Sequence, residues 1–264
     1  TCGNGEIDLI DLIVGSEGIF GLITECVFKL KPRPQNYLDL FIILESEEYA
    51  TKFHDYLHKI LKLSQITALE YFGYNCQSYM INRSHFFKDD SEVGIYLQVP
   101  LYEQLLDQAC SDWLDIVSKS DCNINDERIY VLNDQKSWDL FFQARYSMPE
   151  LALKRTKELN GISIITDTIV PPENFPEFLK KTHSLIRNTN IEYLLFGHLG
   201  DCHLHFHLIP SKEQEKEAIH IYNNIIDISS NLNGVYSAEH GTGKRKKMDF
   251  IKCYGKSASE QVRK

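Results

Sequence analysis

The chain has 264 residues, 43% of them hydrophobic and 25% charged, an ordinary balance for globular protein with enough apolar side chain for one large or two small cores, and one that excludes an intrinsically disordered chain. Its 28 basic and 37 acidic side chains give a formal charge of -9, which argues against nucleic acid, whose binding rests on neutralising phosphates. No stretch reaches the roughly 18 consecutive apolar residues of a membrane helix, and the start, Thr1-Cys2-Gly3-Asn4, has no basic-then-apolar leader.

Seven cysteines without CxxC spacing fit neither a disulfide framework nor a zinc ribbon, so a reducing, cytoplasmic setting is expected. Peripheral membrane association and a homodimer stay open. The first residue is not Met, and Ser259-Glu260-Gln261-Val262-Arg263-Lys264 reads like the middle of a helix, so both ends are expected to be cuts in a longer protein.

In chain order, Leu9 to Val14 and Ile19 to Leu30 are rich in β-branched and aromatic residues around Gly15-Ser16-Glu17-Gly18, which predicts two strands about a glycine turn. Lys31-Pro32-Arg33-Pro34 interrupts them, because proline removes a donor and disfavours helix before it. That sets a boundary between 1–34 and 35–264. Tyr37 to Leu44 reads as a strand. Ser46 with Glu47 and Glu48 reads as a helix start, its hydroxyl and acids serving the free amides, and Tyr49, Phe53, Tyr56, Leu57 and Ile60 continue it at helical spacing. Strands follow near 68–72 and 93–99. A helix follows with Tyr102, Leu105, Leu106, Ala109, Trp113, Leu114 and Val117 on one face, and others are expected near 174–187 and 212–230. Further strands fall near 162–169, 191–196 and 203–209. This alternation predicts an α+β layer, with helices on one face of a largely antiparallel sheet.

The chemistry concentrates in two segments. Gly197-His198-Leu199-Gly200-Asp201-Cys202-His203-Leu204-His205-Phe206-His207 puts His203, His205 and His207 on one face of a strand, since side chains alternate at period two, and three imidazoles facing one way form a metal cup. The competing reading is a half-exposed strand whose polar face happens to use histidine. Gly197 and Gly200 suggest a turn that folds His198 back to meet His205 at one ion. In Ser237-Ala238-Glu239-His240-Gly241-Thr242-Gly243-Lys244, Glu239 completes a set of two histidines and one carboxylate with open coordination positions. His240 sits beside that set, where an imidazole does general-base work. The Gly-Thr-Gly-Lys run is not a phosphate loop, because Ala238 and Arg245 stand where that motif needs Gly and Ser or Thr. His54-Asp55-Tyr56-Leu57-His58 mimics a zinc-protease helix but lacks its Glu, and reads as a solvated helix edge. Arg145 follows the aromatic run Trp138-Asp139-Leu140-Phe141-Phe142 and is either an ion-paired residue or a clamp for a substrate carboxylate.

Together these segments resemble the C-terminal half of the flavin-linked oxidases of the vanillyl-alcohol oxidase superfamily, which includes D-lactate, glycolate and D-2-hydroxyglutarate dehydrogenases. The resemblance rests on Asp11 to Glu25, Gly197 to His205 and Ser237 to Gly241, in that order. It implies a ferredoxin-like α+β cap over 35–264, an antiparallel sheet covered by helices, with 1–34 as the closing strands of an FAD-binding domain. Backbone around Gly15, Ser16, Glu17, Gly18, Gly21 and Ile23 would approach FAD. His198, His205 and Glu239 would hold a divalent metal, usually zinc, with His240 as the base and Arg145 holding the acid of a small 2-hydroxy acid substrate. The electron acceptor is not implied. Cys202 and His203 stand where the family usually has Gly-Asn, so His203, His207 or Cys202 could enter the ligand set. Ile165 stands where dicarboxylate-specific members carry Lys, which favours a monocarboxylate over D-2-hydroxyglutarate. Without a glycine-rich pyrophosphate loop, this stretch alone is expected neither to hold FAD firmly nor to turn over. A metal-dependent hydrolase and a non-catalytic metal-binding domain are the competing functions.

Overall fold

A computed structural model describes residues 8–62 and 65–262. Cys2 and the Arg263-Lys264 end of the last expected helix lie outside these residues, as do residues 1–7 of the expected first unit. The six other cysteines are free thiols.

The frame is an eight-stranded sheet of β1 (Asn36–Leu44), β2 (Ala68–Phe72), β3 (Val93–Leu101), β4 (Ile129–Val131), β5 (Ile164–Ile165), β6 (Thr168–Ile169), β7 (Glu192–His198) and β8 (His203–Ile209). The order is β4-β1-β3-β2-β7-β8-β5, β6 also pairs with β8, and all these pairings are antiparallel. The expected strands near 37–44, 68–72, 93–99, 191–196 and 203–209 are therefore present, each within two residues of its bounds.

The helices do not all lie on one face, as the alternation had suggested. Leu38, Leu40, Ile42 and Leu44 of β1 enter a core shared with α2 (Glu47–Ile60), α3 (Leu106–Lys119), α5 (Phe175–Arg187) and α6 (Glu215–Asn231). The alternate residues Phe41 and Ile43 enter a second core with Phe141, Ala144 and Met148 of α4 (Gln135–Glu158). Two covered faces explain why Leu38 to Leu44 is buried without interruption; a strand with one wet face would alternate. Ser46 caps α2 as expected, accepting from the Tyr49 amide at 3.4 Å.

Three expected strands need correction, the two about the glycine turn and the one near 162–169. Residues 8–34 hold the short helix α1 (Leu9–Ile13) and no strand. Leu22, Val27 and Leu30 there are 86% or more exposed, and a β-rich sequence with no neighbouring strand for its amides and carbonyls has nothing to hold it in a ladder. The strand near 162–169 is split into β5 and β6 because the Thr166 hydroxyl, not a backbone carbonyl, accepts the Phe206 amide, at 2.9 Å. The break frees the Thr166 carbonyl. The last helix, α7 (Lys247–Val262), is interrupted at Gly255, whose φ is 83°.

Candidate active site

The strands β7 and β8 form a hairpin in which His198 pairs with His203, Phe196 with His205 and Leu194 with His207. The reversal runs through Leu199–Asp201 and closes at Cys202, which takes a left-handed φ of 56°. Gly197 is a requirement of this hairpin: its φ is +143°, and a Cβ there would stand 2.7 Å from the His203 carbonyl oxygen.

The hairpin brings His198 and His205 together with Glu239. His205 Nε2 lies 3.4 Å from Glu239 Oε1, and His198 Nε2 lies 3.7 Å from Oε2. These separations are long for hydrogen bonds, but two ligands of a tetrahedral zinc with bonds of about 2.0–2.1 Å stand about 3.4 Å apart. The freed Thr166 carbonyl accepts His205 Nδ1–H at 2.8 Å, which leaves the Nε2 lone pair pointing at the cluster, the usual way a ligating histidine is oriented. Burial, with smaller effects from the His203 and His240 rings, lowers the His205 pKa below its ordinary value, so the ring stays neutral and able to ligate. The donor set, two or three imidazoles and one carboxylate, suits a divalent ion.

The alternatives in the sequence now separate. One ligand atom each of His198, His203, His205 and Glu239 falls within 4.8 Å of the others, but His203 Nε2 donates to Asp167 at 3.0 Å. His207 is turned away to the Ser163 hydroxyl, at 2.8 Å. Cys202 is buried and faces His54 Nε2 at 3.4 Å, and burial pushes its thiol up to about 12. Neither His207 nor Cys202 joins the cluster.

Asp167, which sequence reasoning did not single out, organises both segments. Its carboxylate is fully buried and accepts from His203 Nε2 at 3.0 Å, Ser237 Oγ at 2.6 Å, the Glu239 and His240 amides at 3.2 and 3.0 Å, and Lys246 Nζ at 2.8 Å. Burial alone would raise its pKa; the bonds from His203, Lys246, Ser237 and the His240 amide outweigh it and hold the carboxyl well below the usual range. The signal was an acid inside the apolar stretch Ile164 to Val170, where only a well-bonded carboxylate survives burial. Through the two amides Asp167 fixes the backbone that carries both Glu239 and His240. The His240 ring stacks parallel to His205, 5.2 Å between centroids, and is 46% exposed. Its Nδ1 faces Asp167 at 3.7 Å and its Nε2 faces Glu239 at 3.5 Å.

Arg145 lines a cleft with His198, His205, Phe72, Phe196, Tyr146 and Met148. The ion-paired reading is the one seen: its Nε and Nη2 are bonded to Glu70 at 2.8 Å each. The helix edge at His54 and His58 is not solvated as expected. His54 is wholly buried, and burial followed by the His58 ring lowers its pKa to about 4, while His58 Nε2 reaches the Gly200 carbonyl at 3.0 Å. Both imidazoles brace the turn after His198. Gly15, Gly18 and Gly21 take φ of 76°, 82° and 141°, and Ile23 is 65% exposed. Ser16 turns the chain, its amide donating to Ile13 and its carbonyl accepting from Ile19, both at 3.0 Å. Glu17 accepts the amides of Thr242 and, at 2.6 Å, Gly243, tying this segment to the loop after His240.

A family model described as FAD linked oxidases, C-terminal domain, matches residues 65–262. An uncharacterized FAD-linked oxidoreductase of Mycobacterium tuberculosis is 28% identical over 258 residues, covering 92% of this chain and 52% of that protein. D-lactate dehydrogenase of Archaeoglobus fulgidus is 23% identical over 238 residues, covering 89% of this chain and 49% of that protein. The chain thus spans about half the length of the curated relatives it matches. Among solved structures, p-cresol methylhydroxylase with substrate bound superposes with a TM-score of 0.65 at 13% identity, over 89% of this chain and 50% of that one, a likeness of fold alone.

Proposed function

The chain belongs to the family of FAD linked oxidases, C-terminal domain, and from that premise we propose that it is the substrate- and metal-binding part of an FAD-dependent dehydrogenase that oxidises a small D-2-hydroxy acid, of the lactate or glycolate type, to the 2-oxo acid. The observation that carries the reading is the convergence of His198, His205 and Glu239 with the half-exposed ring of His240 beside them. When bound, FAD would accept the C2 hydride and a divalent ion, zinc in the first instance, would polarise the hydroxyl oxygen.

The residues of the chain then have distinct tasks. His198, His205 and Glu239 would hold the ion. Arg145 binds the substrate carboxylate and so orients C2. Asp167 faces His240 Nδ1 and favours the tautomer with its proton there, leaving Nε2 to take the hydroxyl proton. The aromatic side of the cleft, Phe72, Tyr146 and Phe196, excludes water around the reacting carbon.

Two measurements test this reading. Elemental analysis of the purified chain should give one zinc per chain, lost in His198→Ala and in Glu239→Ala but kept in His207→Ala. Unchanged metal in the first two variants would show the ligand assignment to be wrong. In the full-length flavoprotein, D-lactate or glycolate should bleach the flavin absorbance, and His240→Asn should slow that step by about 10²-fold or more. Equal bleaching rates would remove His240 from the proton transfer.

A further inference from the structure

We propose that Glu70 is an internal carboxylate ligand of Arg145, which fixes the guanidinium beside His198 and, by occupying its Nε and Nη2 edge and balancing much of its charge, leaves an incoming carboxylate only the outer Nη1/Nη2 edge and a weakened attraction. The inference rests on the reading above only in naming the incoming group as the acid of the substrate.

In the pairing of β2 with β7, Glu70 lies directly opposite His198, so the same register that sets the proposed metal ligand sets the acid that holds Arg145. The pair is bidentate, Nε to Oε2 and Nη2 to Oε1, both at 2.8 Å, and Glu70 keeps 18% of its side-chain exposure and Arg145 31%. The guanidinium also lies against Tyr146 and Phe142, 5.5 and 6.0 Å from the ring centroids, which leaves it little freedom to swing. Nη1 has no hydrogen-bond partner among the described residues. A planar guanidinium can meet a carboxylate along its side-on edge, Nε with Nη2, or its end-on edge, Nη1 with Nη2. With that edge taken and much of its charge balanced, Arg145 offers a second carboxylate only the outer edge, formed by Nη1 and the second Nη2 hydrogen, and a weakened attraction. The site therefore orients an acid without binding it tightly, as suits a reaction in which the 2-oxo acid product carries the same carboxylate and must leave.

The experiment is a titration of the 264-residue chain with acetate, a bare carboxylate with no hydroxyl to involve the metal ligands, followed at the Arg145 Nε–H resonance. Glu70→Gln should bind acetate at least fivefold more tightly than the unmodified chain, with acetamide unaffected, while Glu70→Asp, which keeps the charge, should stay within twofold. Arg145→Met should abolish the preference of acetate over acetamide measured by calorimetry. Equal or weaker acetate binding by Glu70→Gln, with an unchanged unfolding midpoint, overturns the proposal. If Glu70→Gln unfolds, Glu70→Ala is read the same way, and Glu70→Asp weakening acetate binding more than twofold also overturns it. D-lactate that fails to bind any of these proteins, while acetate behaves as described, would instead count against the 2-hydroxy acid reading.

Discussion

Asp167→Asn is the substitution that tests whether the two motif segments are one structure. The change preserves shape but removes the charge and replaces an acceptor oxygen with a donor amide, at a side chain that is fully buried and receives five hydrogen bonds. Lys246, 17% exposed, loses its only ion-pair partner among the described residues. Breaking a buried pair by removing one partner costs about 3–5 kcal/mol, and the orphaned Glu239 or His240 amide keeps the estimate at its upper end. For a domain of this size about 4 kcal/mol corresponds to a fall of about 10 °C in melting temperature. Ser237→Ala, which removes one donor and leaves the charge satisfied, should cost about 1 kcal/mol. The sign of the pH dependence follows. The folded carboxyl has a depressed pKa, so its contribution is present above the ordinary carboxylate pKa and is lost as pH falls through and below it, and the gap between Asp167→Asn and the unmodified chain should shrink below about pH 4. Urea unfolding followed by circular dichroism, at pH 7 and at pH 3.5, measures both. An Asp167→Asn stability within about 1 kcal/mol of the unmodified chain at pH 7 would mean that the network contributes little, and the account of how Glu239 and His240 are held would fail.

Two more outcomes follow from the same geometry. His54 is buried with its pKa lowered to about 4, so its neutral form stabilises the fold fully above the unfolded histidine value of about 6.5; that contribution, about 3 kcal/mol, is lost as pH falls toward about 4. His54→Leu should flatten the stability curve in that window, and a curve as steep as the original would show that other groups are responsible. Gly197→Ala places a Cβ at φ +143° and 2.7 Å from the His203 carbonyl, a strain of about 1–3 kcal/mol before the contact is counted; it should lower both the melting temperature and the zinc content, and normal zinc content in the variant would show that the hairpin tolerates another route to the same ligand geometry.

The histidine cup was legible because it depends on two local rules. Strand alternation put His203, His205 and His207 on one face, and glycine at 197 and 200 marked the reversal that returns His198 to that face. That turn led to the expected approach of His198 to His205; whether His203 or His207 would join them was not legible, because it depends on non-local partners: Asp167 claims His203, Ser163 claims His207, and the carbonyl of Thr166 turns His205 inward. The histidines of α2 were misread for a related reason. A helix edge next to polar residues looks solvated until a loop packs on it, and here Cys202 and the Gly200 carbonyl cover His54 and His58.

The first segment shows the opposite limit. Its composition favours strands, yet a strand is a property of a pair, and residues 8–34 have no ladder partner among the described residues. What they do have is Glu17, whose carboxylate gathers the amides of Thr242 and Gly243. That contact joins the glycine turn at 15–18 to the loop that follows His240, over a sequence separation of more than two hundred residues. The three segments that carry the family resemblance therefore meet through two carboxylates: Asp167 beneath the Glu239 and His240 backbone, and Glu17 above the loop that follows it. Neither acid was expected to have a structural task, because a sequence shows which residues can bond but not which amides are left in need of a partner.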